Sequence, residues 1–364
     1  MKNRKQFVGV GQSTSEIRET TSGVPQGSIL GPILFLIFFN DLPKSNALLN
    51  LLFADDTTIL ASGSDLNQLV NFINSELQKL VVWFRANRMA LHPDKTKFTV
   101  FHSNDNIPWD DIKLVLNFND TNGPVNENLI TPIKYVNKES DIPALKFLGV
   151  YFDQNLNFKY HIKQIRKKIA KALFSIKRVK NVLTPSALKS LYYSTIHSHL
   201  VYAIQIYSCA SKTDLSPLII LQKKSIRCIT NSSYNAHTAH LFRNLEILPF
   251  DDLAVFFKAQ FMCIYSQNKT PKSFENKWIK NSDRFNNEVQ LRNINDYHIP
   301  PFRINLVNKL PLCDFPRLYN ELPLDLKSIH SKNIFNSSLK KHLLDKLPET
   351  VVCNRLLCPT CLQV

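Results

Sequence analysis

Residues 51–61, LLFADDTTILA, decide the reading of this chain. Four apolar residues, Leu51 to Ala54, run into Asp55 and Asp56, and a β-type run, Thr57 to Ala61, follows. Both flanks favour strands and the acidic pair falls where a tight turn would lie, so the pattern predicts a hairpin with two carboxylates at its tip. Adjacent carboxylates repel and resist joint ionisation unless a cation sits beside them. A hard-oxygen pair of this kind suits a divalent ion, usually Mg²⁺, as two-metal phosphoryl or nucleotidyl transfer requires. Asp is also a favoured turn residue, so a plain turn is the other reading of the pair taken alone.

The stretch upstream bears on that choice. Residues 21–32 read TSGVPQGSILGP and lead into an apolar run, ILFLIFF, that ends at Asn40-Asp41. Gly23, Gly27 and Gly31 allow backbone conformations and close approaches that other residues resist. Ser28 can cap the helix that follows, and Pro32 fits its first turn. The run at 29–39 is too short to span a bilayer and reads as a core helix.

Gly23-Val24-Pro25-Gln26-Gly27 ahead of a buried helix, then Phe53-Ala54-Asp55-Asp56, resemble in order and spacing motifs B and C of reverse transcriptases. The closest resemblance is to those of non-LTR (LINE-like) retrotransposons. It implies an α+β fold: a partial polymerase palm, with an antiparallel sheet and packed helices, then an α-helical thumb and a helical C-terminal extension. The corresponding division is 1–154, 155–235 and 236–364. It also implies RNA-directed DNA synthesis, in which a primer 3′-hydroxyl attacks the α-phosphate of a dNTP on an RNA template with two Mg²⁺ (or Mn²⁺) ions. Asp55 would be the main metal ligand and Asp56 an assistant, with Pro25, Gln26 and Gly27 shaping the nucleotide and template pocket.

The rest of the chain continues the series. A long amphipathic helix opens at Ser64-Asp65, with Leu66, Leu69, Val70, Ile73, Leu77, Leu80, Val81 and Phe84 at helical spacing. Residues 87–102, NRMALHPDKTKFTVFH, resemble motif D, whose lysine lies near the departing pyrophosphate and can donate a proton. Lys95 is the candidate and Lys97 its rival, with a pair of solvated loop lysines as the bland alternative. Pro93-Asp94 with a nearby lysine also suggests a restriction-type nuclease core. That core needs an acid two residues before its lysine, and Lys95 stands there relative to Lys97, which excludes it. Residues 104–141 are polar, with a turn at 120–124. Residues 144–153, ALKFLGVYFD, resemble motif E, the primer grip, through Phe147, Leu148 and Gly149. An ordinary edge hairpin is the alternative.

Beyond Leu156 the character changes. Ile162, Ile165, Ile169, Leu173 and Ile176 form an apolar stripe, while residues 157–180 carry nine Lys and Arg and no Asp or Glu. A helix with a buried stripe and a wholly basic face suits tracking of a phosphate backbone, and Lys163, Arg166, Lys167 and Lys171 are the candidates. The place in the series is that of the family's thumb. Proline-separated helical pieces follow from about residue 236, at 251–267, 299–315 and 334–347.

Composition bounds these readings. The chain has 364 residues, a net charge of +16 and a pI of about 9.5, which points to a polyanionic partner, nucleic acid first. Four scattered cysteines, Cys209, Cys228, Cys263 and Cys313, read as reduced thiols of an intracellular protein, and no secretory signal or membrane span is visible. Cys353, Cys358 and Cys361 offer three thiolates, one short of a structural zinc site.

The series departs from the family at one point. No Asp precedes Asp41, so the aspartate strand called motif A, and the fingers, are expected to lie outside this chain. The expectation is therefore a truncated chain inactive by itself. A non-catalytic nucleic-acid-binding module and a non-functional relic are the alternatives.

Overall fold

The computed structural model describes residues 4–20, 23–102, 112–119, 130–136, 143–284, 294–301 and 308–349. The cysteine tail and the turn at 120–124 lie outside them. The chain divides into two compact units, Met1–Val136 and Asn137–Val364.

The first unit opens with two ribbons: β1 (Arg4–Gln6) pairs with β4 (Arg18–Thr20), and β2 (Gly9–Val10) with β3 (Ser13–Thr14), all antiparallel. Helix α1 (Gly31–Phe39) follows, with proline in its first turn. Strands β5 (Leu49–Phe53) and β6 (Asp56–Leu60) form the expected hairpin. Helix α2 (Leu66–Ala86) starts where the sequence predicts, and the Asp65 side chain accepts the Gln68 N–H at 2.8 Å, a good N-cap. Short strands β7 (Lys97–Phe98), β8 (Val115–Asn117), β9 (Ile130–Pro132) and β10 (Lys134–Tyr135) complete the unit.

The core of this unit is small. Leu77, Leu80, Val81 and Phe84 of α2 pack with Phe39, Leu42, Leu114, Leu116 and Ile133, and Leu52 and Ile59 lay the inner face of the hairpin against them. Two expectations need correction. The run 33–39 is not buried: Ile33, Leu36 and Ile37 are 53%, 59% and 68% exposed, and of the apolar run only Phe39 is fully buried. The residues are apolar all round the helix, but it packs chiefly through Phe35 and Phe39, against Trp83 and Phe84, with the half-exposed Phe38 touching Trp83. Nor do the strands join into one sheet. The described strands form six separate pairs, five antiparallel and one, β7 with β10, parallel. Each antiparallel hairpin satisfies its own ladder, and no described strand joins β5–β6 at either edge.

The second unit begins with the hairpin β11 (Leu145–Phe147) and β12 (Val150–Phe152) and is otherwise helical. Helix α3 (Lys159–Val179) packs its predicted stripe of Ile162, Ile165, Ile169, Leu173 and Ile176 against α7 (Lys212–Ile229). Between them run α4 (Pro185–Tyr192), capped by the Thr184 hydroxyl, a π-turn at Tyr193–His197, α5 (Ser198–Val201) and α6 (Ile204–Tyr207). Beyond α7 lie α8 (Ala239–Asn244), α9 (Phe250–Ser266), α10 (Asn281–Arg284), α11 (Pro311–Asn320), α12 (Leu324–Lys327) and α13 (Lys332–Asp345). One continuous core runs from Val150 to Leu343, so residues 155–235 and 236–349 share it. Inside it the Tyr192 hydroxyl and the Leu248 carbonyl both accept from the buried Gln222 amide. Cys209, Cys228, Cys263 and Cys313 are free and buried, and burial pushes the Cys209 thiol up to about 11, which keeps it protonated and inert. Among the described residues no helix is long and apolar enough to cross a membrane.

Candidate active site and nucleic-acid interface

The acidic pair sits on a two-residue turn. Phe53 pairs with Asp56, which leaves Ala54 and Asp55 as the loop. Ala54 has φ +51°, a left-handed conformation where a hairpin loop usually places glycine, asparagine or aspartate. That left-handed alanine costs of order 1 kcal/mol and persists only because the ladder behind it is closed over five residue pairs. Both carboxylates are exposed, and neither takes part in a hydrogen bond or ion pair among the described residues. Leu52 and Ile59 hold the inner face of the hairpin, while Leu51, Phe53 and Leu60 lie on the solvent side at 39%, 62% and 41% exposure.

Sequence reasoning missed a residue that fixes this hairpin. Glu76, on the apolar side of α2, is 3% exposed. Its carboxylate accepts the Ala47 N–H at 2.6 Å, two residues before β5, and the Lys79 ammonium at 2.5 Å. The Lys79 bond first, and the Ala47 bond second, hold this carboxyl below its usual range. A charged residue between Ile73 and Leu77 on an apolar face was the available signal. Asn46 and Asn50 add side-chain bonds across the same approach.

The glycine loop is built as its residues suggest. Gly23 and Gly27 have φ +75° and +81°, and the Ser28 N–H donates to the Pro25 carbonyl at 3.2 Å. Ser28 Oγ accepts the Gly31 N–H at 3.1 Å, a cap on the turn entering α1, although Leu30 is the boundary residue of the helix. A Cβ on Gly31 would meet that Oγ at 2.7 Å, so a larger residue there would displace the Ser28 cap. Pro25 is half-buried, and Gln26 and Gly27 are exposed. Lys95 ends a 3₁₀ turn at Pro93–Lys95 and Lys97 begins β7, both exposed, while the neighbouring Asp94 pairs with Lys134 at 3.1 Å. No hydrogen bond or ion pair among the described residues joins Asp55, Asp56, Gln26 and Lys95 to one another. Among the described residues no group of three or more His, Cys, Asp or Glu converges.

In the second unit the tip of the β11–β12 hairpin is Leu148-Gly149, with φ +44° and +84°, both positive as a type I′ turn demands. The Tyr202 hydroxyl donates to the Leu148 carbonyl, and a Cβ on Gly149 would lie 3.2 Å from the Tyr202 ring. The tip is thus fixed by a tyrosine from the helical part of its own unit. Phe147 packs toward Phe152, which meets Phe158 at 5.6 Å between ring centroids. On α3, Lys163, Arg166, Lys167 and Lys171 are all exposed and without a carboxylate partner among the described residues. Between Asp153 and Glu246 the only acidic residue is Asp214. A row of cations without internal carboxylate partners, on a well-packed helix, can attract a polyanion.

Residues 3–152 match the family model "Reverse transcriptase (RNA-dependent DNA polymerase)". Over that segment the chain is similar to reverse transcriptases. It is 27% identical over 259 residues to the probable RNA-directed DNA polymerase from transposon BS of Drosophila melanogaster, covering 68% of this chain and 26% of that protein. It is 26% identical, with the same coverage, to the RNA-directed DNA polymerase from mobile element jockey of the same organism. To the probable polymerase from transposon X-element it is 23% identical over 266 residues, 70% of this chain and 26% of that protein. The chain therefore spans about a quarter of the length of these relatives. No solved structure matches it.

Proposed function

We propose that this chain supplies the metal-binding hairpin and the nucleic-acid grip of an RNA-directed DNA polymerase. The observation that carries the reading is the Asp55–Asp56 tip, two free, solvent-facing carboxylates on a closed hairpin, inside the segment that matches the family. Residues 1–154 would be palm, 155–235 thumb and 236–364 a helical extension. The carboxylates fit Mg²⁺ or Mn²⁺ in the chemistry of their donors: hard oxygens, without an internal cation, open to substrate phosphates that complete the shell. When bound, a pair of such ions supplies a clamp for the attacking and leaving oxygens of nucleotidyl transfer.

The chain's own residues divide the remaining work. Pro25, Gln26 and Gly27 present a turn whose backbone a dNTP or template base can approach closely. Lys95 stands free to give a proton to the departing pyrophosphate. Phe147, Leu148 and Gly149 offer a fixed tip for the primer end. Lys163, Arg166, Lys167 and Lys171 hold the RNA–DNA duplex by its phosphates. The relatives named as RNA-directed DNA polymerases support RNA template, DNA primer and dNTP as the substrates.

Primer extension on an RNA template tests the reading, with this chain replacing the matching stretch of a full-length relative. Synthesis dependent on Mg²⁺ or Mn²⁺ is expected. Asp55→Asn should lower it by more than about a hundredfold, beyond the effect typical of groups that only support a metal ligand. Undiminished synthesis in that variant would place the metal site elsewhere.

A further inference from the structure

The basic face of α3 contains a residue that phosphate tracking does not need. Lys163, Lys167, Lys171, Phe174 and Arg178 follow one another at spacings of three or four, which puts them in a row along one side of the helix. Phe174 is 62% exposed, and the Arg178 guanidinium lies 5.9 Å from its ring centroid. A second exposed ring repeats the arrangement. Tyr234, in the loop after α7, is 70% exposed, with the Lys224 ammonium 5.6 Å from its centroid.

The two rings lie at the same end of the α3–α7 pair. Phe174 precedes Lys180 by six residues, roughly 9 Å along the axis. The Lys180 ammonium donates to the Asn231 side chain at 3.3 Å, in the loop that carries Tyr234. Two rings with their own cations therefore stand where the basic track of α3 runs out, and no acidic residue lies between Asp214 and Glu246 to offset the charge.

A paired duplex shows phosphates to a helix face but keeps its base faces stacked. An unpaired strand shows both phosphates and π-faces. An exposed aromatic beside a cation matches the second, and stacking on such a ring tolerates every base. We propose that Phe174 and Tyr234 form a stacking platform for an unpaired nucleic-acid strand, continuous with the duplex track. Its charge rests on the basic helix assigned above, but its discrimination between unpaired and paired strands rests on the two rings alone.

The test compares the full chain with Phe174→Ala, Tyr234→Ala and the double variant. The probes are a labelled oligothymidylate of about 15 nucleotides, within the range of known single-strand site sizes, and a DNA duplex of equal length. Each single variant should weaken oligothymidylate binding by about 5- to 150-fold, the effect of unstacking one base from its ring, and duplex binding by less than about twofold. Phe174→Trp and Tyr234→Phe should retain the single-strand affinity, because they keep a ring. Unfolding midpoints of all variants should match the parent, since both side chains are mostly exposed. Equal weakening for both probes, or none for the single strand, overturns the platform. Neutralising Lys163, Arg166, Lys167 and Lys171 weakens both probes if the track is right, so failure of the track and failure of the platform give different results.

Discussion

In residues 137–364 the apolar stripe of α3 is covered along its whole length, and Ile169, Leu218, Ile226, Phe335 and Leu339 reach 0% exposure in one continuous core. In residues 1–136 the most apolar helix, α1, leaves Ile33, Leu36 and Ile37 more than half exposed, and the outer face of the β5–β6 hairpin shows Leu49 and Phe53 to solvent. The Gly23–Gly27 loop and the Phe53–Asp56 turn, both inside the segment similar to reverse transcriptases, sit on the thin unit. The exposed cations of α3 sit on the more fully packed one. Recognisable chemistry and self-sufficient packing are thus separate properties of this chain, because a motif constrains a few backbone positions whereas a core needs a partner for every apolar face.

Truncating the two kinds of apolar residue should break the units unequally. Leu218→Ala, at a fully buried site between α7 and its neighbours, should cost about 2–5 kcal/mol. Ile37→Ala, on the open side of α1, should change stability by less than about 0.5 kcal/mol. Chemical denaturation of both variants measures this, and a comparable destabilisation in the two would mean that α1 is covered in solution.

Acid should separate the units next. Burial first, and a nearby lysine second (Lys168 and Lys340), push His161 and His197 of the second unit down to about 4. These rings stay neutral in the folded chain, while the unfolded chain protonates them near pH 6.5. Their contribution is complete above about pH 6.5 and is lost as the pH falls toward 4, of order 2 kcal/mol for each ring. Thermal unfolding across that window should show the second unit weakening. His161→Gln should flatten the slope, and an unchanged slope would show that His161 is not the group responsible.

The smallest effect belongs to Glu76. Its depressed carboxyl stabilises the folded chain above the usual carboxylate range and ceases to do so as the pH falls through its lowered value. Glu76→Gln should keep the fold, lower the unfolding midpoint by a few degrees at pH 7 and leave that at pH 3 nearer the parent. Binding of Mn²⁺ at the Asp55–Asp56 tip, weak at the outset, should weaken further by up to about tenfold as the hairpin loosens. Unaltered Mn²⁺ affinity would mean that the hairpin is positioned without this anchor.

Much of this was legible in the residues. Strand-favouring runs on either side of Asp55-Asp56 predict the hairpin, Asp65 its following helix, Leu148-Gly149 a tight turn, and the Ile162 to Ile176 stripe the buried side of α3. Each is a local pattern. What the sequence did not show depends on residues distant in the chain. The apolar run at 33–39 reads as core, yet Ile33, Leu36 and Ile37 stay exposed while its phenylalanines take the packing partners. Strand propensity cannot say which strands pair, so one expected sheet became separate hairpins. The Glu76–Ala47 bond spans 29 residues, and the Lys180–Asn231 bond that joins the end of α3 to the loop carrying Tyr234 spans 51.

The division of labour between the units is tested most directly by duplex binding across a range of salt. Log affinity for a B-form DNA duplex is measured against log salt for the parent chain, for Asp55→Asn in the first unit, and for the chain with Lys163, Arg166, Lys167 and Lys171 neutralised in the second. The slope should flatten by about 0.9 for each phosphate that the quadruple variant no longer neutralises, roughly 3–4 in all, and remain at the parent value in Asp55→Asn. An unchanged slope in the quadruple variant, or an equal change in both, would contradict the account.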